Sequence, residues 1–443
     1  MCVAKLLADA SCVAASLPAA ATVMNLCEDR YRFMVTFCAA LMRGCTTLLP
    51  QSRATQVIDE LASAYPGCVR CGDEYAGDAK LRQASQWRAA SMLAPLIAAD
   101  QWAVVLFTSG STGPPIPHRK SWRSLTATTL LSAERIRASL PRAADGVRPW
   151  IVATMPSQHT FGLEMSVLLP LLGDMGVSAA RPLFPADVAA ALSAVQWPRV
   201  LVSTPVHLRA LVESSQEFPD VALVLTATAS LDPQLAERVE RRFSTTVVDV
   251  LGSTETCAIA TRASARDAAW RPYEGIALTP QSASTLVSAA WFDQPAVLQD
   301  LVEVLPDGRF LLHGRNADVI EIAGKRASLA ELTRRVLEIA GVQDAVVIQP
   351  NATGRNPVRR VVAMVVAPSL TAAEIIRRLR ESIDPAFMPR PLMLVASLPR
   401  NETGKLPRAW LLDMLSASDA GTDPPPSIHM VDSASLGFHQ PVK

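Results

Sequence analysis

No uninterrupted apolar run of about 18 residues occurs in this chain, so no membrane-spanning helix is expected. Aromatic residues are scarce at 5%, whereas hydrophobic residues make up 49%, much of that alanine. This balance excludes a disordered polar chain and suits a compact globule. An excess of charge is missing too: 42 Lys and Arg stand against 41 Asp and Glu, a net +1. No global field therefore draws the chain to nucleic acid or anionic lipid, and neither nucleic acid nor membrane is expected as a partner. Repeats and low-complexity tracts are lacking, and 443 residues call for two or more domains.

Cysteine is present but incomplete as a framework. Seven of the eight cysteines lie within the first 71 residues. Cys68-Val-Arg-Cys71 has the spacing of a zinc or redox pair, yet no second Cys/His pair follows nearby to complete a metal site. Reduced, mostly buried thiols are expected instead. The alanine-rich stretch Ala10–Leu26 after Lys5 resembles a secretory signal. Asp9 and Pro18 interrupt that pattern, and Leu26 is large for a cleavage site before Cys27. A cytoplasmic location is expected.

What is there is alternation. Candidate strands are Val104–Thr108, Ile151–Met155, Val200–Ser203, Val221–Thr226 and Thr246–Val250. Helical patterns fall between several of them, as in Pro233–Phe243 with charged Glu237, Arg238, Glu240, Arg241 and Arg242. Such alternation predicts a layered α/β domain with substantial parallel sheet. Near residue 315 the pattern becomes strand, helix, strand twice over: Val319–Ile322, Ala330–Ile339, Ala345–Ile348, then Arg360–Val366, Ala372–Ile383, Leu392–Val395. This predicts a small α+β unit. The expected division is 1–314, 315–415 and a flexible tail 416–443 with little core-forming content.

The most informative segment follows the first of these strands. Thr108-Ser109-Gly110-Ser111-Thr112-Gly113 places two glycines and four hydroxyl residues in six positions. Such a loop can turn tightly, aim backbone N–H groups at a phosphate and add hydroxyl donors, although an ordinary Ser/Gly turn has the same composition. No Gly-Lys-Ser/Thr closes it as in a Walker loop, and Ser111 is not centred between glycines as in a hydrolase elbow. Four further segments follow in order: Met155-Pro156-Ser157-Gln158-His159-Thr160-Phe161-Gly162, Leu251-Gly252-Ser253-Thr254-Glu255-Thr256, His313-Gly314-Arg315-Asn316-Ala317-Asp318 and Asn401-Glu402-Thr403-Gly404-Lys405. Singly each reads blandly: His159 as a packed core histidine, Glu255 as a first-turn helix carboxylate, Lys405 as a solvated turn lysine. Together and in this order they demand a common explanation.

With these residues the chain resembles the adenylate-forming superfamily of acyl-CoA synthetases, aryl-acid ligases, luciferases and peptide-synthetase adenylation domains. The resemblance runs from about Asn25 to Leu411 and is most specific at 108–113, 252–255 and 401–405. It implies a large N-terminal multi-layer α/β adenylation domain, a small mobile α+β C-terminal domain and an active site between them. The implied reaction joins a small carboxylic acid to AMP from ATP, releasing pyrophosphate, and then passes the acyl group to a thiol of CoA or of a phosphopantetheinyl acyl carrier protein. The charge that develops at phosphorus needs cations and oriented donors. By resemblance Thr108, Ser109, Gly110, Ser111, Thr112 and Gly113 hold the β- and γ-phosphates, Gly252 and Thr254 border the α-phosphate, and Glu255 places Mg2+. Asp300 and Arg315 serve the ribose side, and Lys405 contacts carboxylate and α-phosphate. His159, Phe161, Thr226, Ala227 and Thr228 line the acid pocket, and Gly324 comes to the cleft for thiol transfer when the small domain rotates.

The chain departs from the family in places. Ile116 replaces the usual lysine of the phosphate loop, leaving Lys120 or Arg119 to supply charge, and Leu251 replaces an aromatic. Ala317 stands at the hinge, and Ala227-Thr228 replaces a Gly-Gly pair. These departures keep a degenerate nucleotide-binding or scaffold member of the same fold open as the alternative. The segments Asn25–Phe33 and Pro117–Trp122 resemble compact bacterial AMP-ligases of aryl-polyene and xanthomonadin-type pigment pathways, which implies a hydroxybenzoate- or cinnamate-like acid. Thr160 stands where amino-acid-activating relatives keep an aspartate, so no carboxylate awaits an α-ammonium group.

Overall fold

The computed structural model describes residues 3–19, 21–50, 52–73, 95–108, 116–282, 284–315, 319–322, 325–350, 361–400, 406, 411 and 428–431. Two sheets dominate the N-terminal part. The first runs in the order Val69–Cys71, Thr22–Asn25, Thr46–Leu49, Trp102–Thr108, Ile116–Ser121. Its first four strands are parallel and the last is antiparallel. The second runs Arg271–Pro272, Cys257–Arg262, Val247–Ser253, Leu223–Thr226, Arg199–Ser203, Trp150–Ala153, Gly176–Val177. All its pairings are parallel except those of Cys257–Arg262 with its two neighbours. The central parallel strands, such as Arg199–Ser203 and Leu223–Thr226, are short, mainly apolar and buried because both faces are covered. Their positions follow the predicted strands to within about three residues at the ends, the usual uncertainty of boundaries.

Helix Pro233–Phe243 shows how local sequence sets an element. Asp232 caps it by accepting from the N–H of Leu235 at 3.0 Å, and Pro233 opens the first turn. Leu235, Ala236, Val239 and Phe243 form the buried stripe, and Ser244 ends the helix in the left-handed region at φ +49°.

The two sheets are tied by apolar packing and by one buried cation. Phe33 and Phe37 of helix Arg30–Met42 pack with Val104 and Leu106 of the first sheet and with Leu163, Val167 and Leu168 beside the second. Arg30, at the start of that helix, donates to the carbonyls of Ser178, Ala180, Ala153 and Met155 at 2.7–3.2 Å. Burial lowers its pKa to about 10. The signal-like stretch is built into this core: helix Val3–Ala15 packs on Arg30–Met42, and Thr22–Asn25 is an interior strand. The seven described cysteines are thiols, five of them buried.

The small C-terminal part has a sheet ordered Asp344–Ile348, Val362–Val366, Leu392–Val395, Ile428–Val431, with helices Leu329–Leu337 and Ala372–Leu379. Thr371 and Glu374 form a reciprocal cap on the second helix. One expectation is corrected here. Within the tail expected to be flexible, Ile428–Val431 pairs antiparallel with Leu392–Val395. Its β-branched and apolar sequence suits an edge strand, and a composition reading of the whole tail averages that out.

Candidate active site

Several of the residues singled out by sequence lie where parallel strands end. Thr108 closes Trp102–Thr108, Pro156–Thr160 follows Trp150–Ala153, Ala227 and Thr228 follow Leu223–Thr226, and Thr254 and Glu255 follow Val247–Ser253. Carboxyl ends of strands are where open α/β sheets bind ligands, because the loops there diverge over a crevice. A groove of about 930 Å³ lies at the other edge, bordered by Trp197, Asp220–Ala222 and Thr245–Thr246, which precede their strands. None of the predicted site residues lines it.

Thr108 meets Glu255 through a residue that sequence reasoning left without a role. The Thr108 hydroxyl lies 2.9 Å from His118 Nε2, and that nitrogen lies 3.6 Å from Glu255 Oε1. Burial and the Lys120 charge hold the imidazole below its usual pKa, with Glu255 opposing. At neutral pH the neighbour of the Glu255 carboxylate is therefore mainly a neutral imidazole. The Glu255 side chain keeps 34% of its surface exposed, so its oxygens remain open to a ligand.

Lys120, expected as a phosphate-side charge, is corrected. It is 7% exposed and its ammonium donates to the backbone carbonyl of Glu255. Register explains this: Ile116 stands opposite Thr108, His118 opposite Leu106 and Lys120 opposite Val104, each pair a step deeper into the sheet. The strand thus turns His118 to the mouth and Lys120 to the interior on one face.

The turn carrying Thr254 and Glu255 joins two antiparallel strands whose register shifts at Leu251/Gly252. Gly252 is required there, since a Cβ would stand 2.5 Å from the carbonyl oxygen of Cys257. Ser253 and Thr256 bond to each other across the turn at 3.1–3.2 Å, and Cys257 leaves it in the left-handed region at φ +60°. Thr160 donates to Thr254 Oγ1 at 3.4 Å, which joins the loop after Trp150–Ala153 to this turn. Glu164 approaches from the same side. It is 5% exposed and accepts from the N–H of Ala258 at 2.9 Å. Burial pushes its carboxyl up to about 7, against the pull of that N–H and of Lys120.

His159 stands at the N-terminal end of the short helix Thr160–Leu163, without a side-chain capping bond, and is half-buried. Phe161, Thr226 and Ala227 are closed into the core, whereas Thr228 is half-buried. Thr228 adopts φ +80°, a conformation rare for a β-branched residue and natural for the glycine it replaces in the family pattern. Asp300 and Arg315 are register partners across the ribbon Asp300–Val304/Phe310–Arg315. Fifteen positions apart in sequence, they are brought together by backbone pairing. Ser109–Gly113, Ala317, Gly324 and Lys405 lie outside the described residues.

Comparison with known proteins gives this geometry its family. Residues 4–283 match the AMP-binding enzyme family, and residues 334–405 match the AMP-binding enzyme C-terminal domain. The chain belongs to the AMP-binding enzyme family. A 4-coumarate–CoA ligase of Halorhodospira halophila is 30% identical over 314 residues, covering 68% of this chain and 73% of that enzyme. A 3-hydroxybenzoate–CoA/4-hydroxybenzoate–CoA ligase of Thauera aromatica is 24% identical over 380 residues, covering 75% and 70%. ATP-bound MatB from Rhodopseudomonas palustris superposes with a TM-score of 0.75 at 18% identity over 94% of this chain and 93% of that one, which shows the shared fold.

This AMP-binding enzyme is thus an AMP-forming acid–CoA ligase type of protein that uses ATP to activate a small carboxylic acid. Among the described residues no group of three or more His, Cys, Asp or Glu could hold a metal ion. One partly exposed carboxylate, Glu255, near the Thr108 hydroxyl through His118, fits Mg2+ held mainly by substrate phosphates and water, as that ion prefers. No described helix is long and apolar enough to cross a membrane. The residues missed by sequence reasoning, His118 and Glu164, had signals of a kind: a histidine two places from a lysine on a strand, and a lone carboxylate inside the apolar run 161–169.

Proposed function

We propose that this enzyme activates a hydroxybenzoate- or cinnamate-like aryl acid and delivers it as a thioester to CoA or to an acyl carrier protein. The observation that carries the reading is the likeness over two thirds or more of the chain to relatives named for 4-coumarate and for hydroxybenzoates. Thr160 supports it: the position that would meet an α-ammonium group is a hydroxyl bonded to Thr254.

In this reading Thr108 and the loop after it cradle the β- and γ-phosphates of ATP, with His118 at their flank. Glu255 holds Mg2+, which neutralises charge on the phosphates when bound. Thr254 lies beside the α-phosphate, Asp300 and Arg315 hold the ribose, and Lys405 steadies the carboxylate as it attacks the α-phosphorus. His159 and Thr228 border the acid, with Phe161, Thr226 and Ala227 behind it. Gly324 serves the thiol side. The compact-branch resemblance of Asn25–Phe33 and Pro117–Trp122 favours a pigment-type starter acid, and a cytoplasmic setting matches reduced thiols.

The test is product analysis with ATP, Mg2+, hydroxybenzoates, cinnamates and fatty acids, offering CoA and a phosphopantetheinylated carrier protein in parallel. Aryl thioester on at least one acceptor is expected. Thioester from fatty acids alone would overturn the aryl assignment.

A further inference from the structure

We propose that Lys120 and Glu164 form a buried clamp on the turn that carries Thr254 and Glu255 and on the strand that leaves it, and that both are positioning residues for Mg·ATP. This rests on the reading of Glu255 as the Mg2+-side carboxylate. Lys120 grips the turn at the carbonyl of Glu255, and Glu164 grips the strand that leaves it at the N–H of Ala258, three residues on. Neither side chain belongs to the turn: one comes from strand Ile116–Ser121 and the other from the π-helical turn Glu164–Leu168.

Three features make the grip more than packing. The turn contains Cys257 at φ +60°, a backbone state that costs of order 1–3 kcal/mol and persists only where the surroundings enforce it. Its internal bonds, between Ser253 and Thr256, fix the middle and leave the Glu255 carbonyl and the Ala258 N–H to outside partners. Both clamping groups are almost wholly buried, where apolar side chains of similar volume would be less costly than charges. What a charge adds over a methyl group is direction. Fixing the backbone at Glu255 itself and again three residues on limits where its carboxylate points, 3.6 Å from the His118 nitrogen that also meets Thr108.

The experiment is calorimetric titration of the full-length protein with ATP, once with Mg2+ and once in EDTA, comparing wild type with Glu255→Gln, Lys120→Met, Glu164→Met, Lys120→Arg and Glu164→Gln. The methionine variants are expected to weaken Mg·ATP about tenfold or more, as loss of a supporting partner does at metal sites, while binding in EDTA stays at the wild-type level. Arg at 120 keeps a donor and Gln at 164 keeps an acceptor oxygen, so those variants retain most of the Mg·ATP affinity. If the methionine variants fail to fold by circular dichroism, Glu164→Asp carries the same prediction, because it withdraws the oxygen by one methylene. Equal weakening with and without Mg2+, or no weakening while Glu255→Gln does weaken Mg·ATP, would overturn the clamp. An unchanged Mg·ATP affinity in Glu255→Gln would instead overturn the reading of Glu255, and the clamp with it.

Discussion

At the scale of single residues, the chemistry separates into groups that touch ligand and groups that make room for them. In the proposed reading Lys405 belongs to the first kind. Lys405→Ala is expected to lose adenylation by about 100-fold or more, the cost of removing one transition-state donor, yet to transfer acyl groups from supplied acyl-adenylate at close to the wild-type rate. Single-turnover assays of each half-reaction check this; equal loss in both would remove the assignment. Gly252 belongs to the second kind. A methyl group there meets the Cys257 carbonyl at 2.5 Å, so Gly252→Ala should cost about 1–3 kcal/mol and lower activity, read from urea unfolding and pyrophosphate exchange. Thr254, Glu255 and Thr108 could be singled out in the sequence because each sits inside a contiguous motif. His118 and Glu164 were not, because their meaning lies in partners far along the chain, such as Ala258 at 94 residues from Glu164.

At the scale of elements, register decides what sequence leaves open. Lys120 and Arg119 were equal candidates for a phosphate-side charge until the pairing of Val104 with Lys120 sent that side chain inward. The helix Pro233–Phe243 was legible in full, since its cap, its proline and its apolar stripe are all local. The strand Ile428–Val431 was not, because it exists through an edge offered by residues 392–395. The π-helical turn that presents Glu164 gives a pH signature. The folded-state pKa of about 7 lies above the 4.5 of an ordinary glutamate, so the native state binds the extra proton between those values. The stability this group supplies is complete below about 4.5 and is lost as pH rises through about 7. Wild type should therefore lose stability relative to Glu164→Gln from pH 5 to pH 8, by about 1–3 kcal/mol. Lys120, Cys257 and Tyr273 face the same carboxyl, and burial pushes the last two up, so they stay neutral across this range. Paired thermal melts over that range are the check, and a constant difference would contradict it.

At the scale of the whole molecule, the strand–helix alternation was enough to read a layered α/β domain followed by a small α+β domain, because short apolar runs covered on both faces have few other uses. How the two large sheets meet was not legible, since the join depends on Arg30 reaching four carbonyls beyond residue 150. Arg30→Met should leave those acceptors unpaired and cost about 3 kcal/mol or more in urea unfolding, with little change in the affinity of any remaining folded enzyme for ATP. The central claim is that these strand ends form an acid-activating site. Its most direct measurement is acid-dependent release of pyrophosphate and AMP from ATP by the wild-type protein across hydroxybenzoates, cinnamates and fatty acids, with CoA and a phosphopantetheinylated carrier protein present to take the acyl group. We expect stoichiometric AMP and pyrophosphate with at least one aryl acid and none without acid; no release with any acid, or release of ADP instead, would contradict the account.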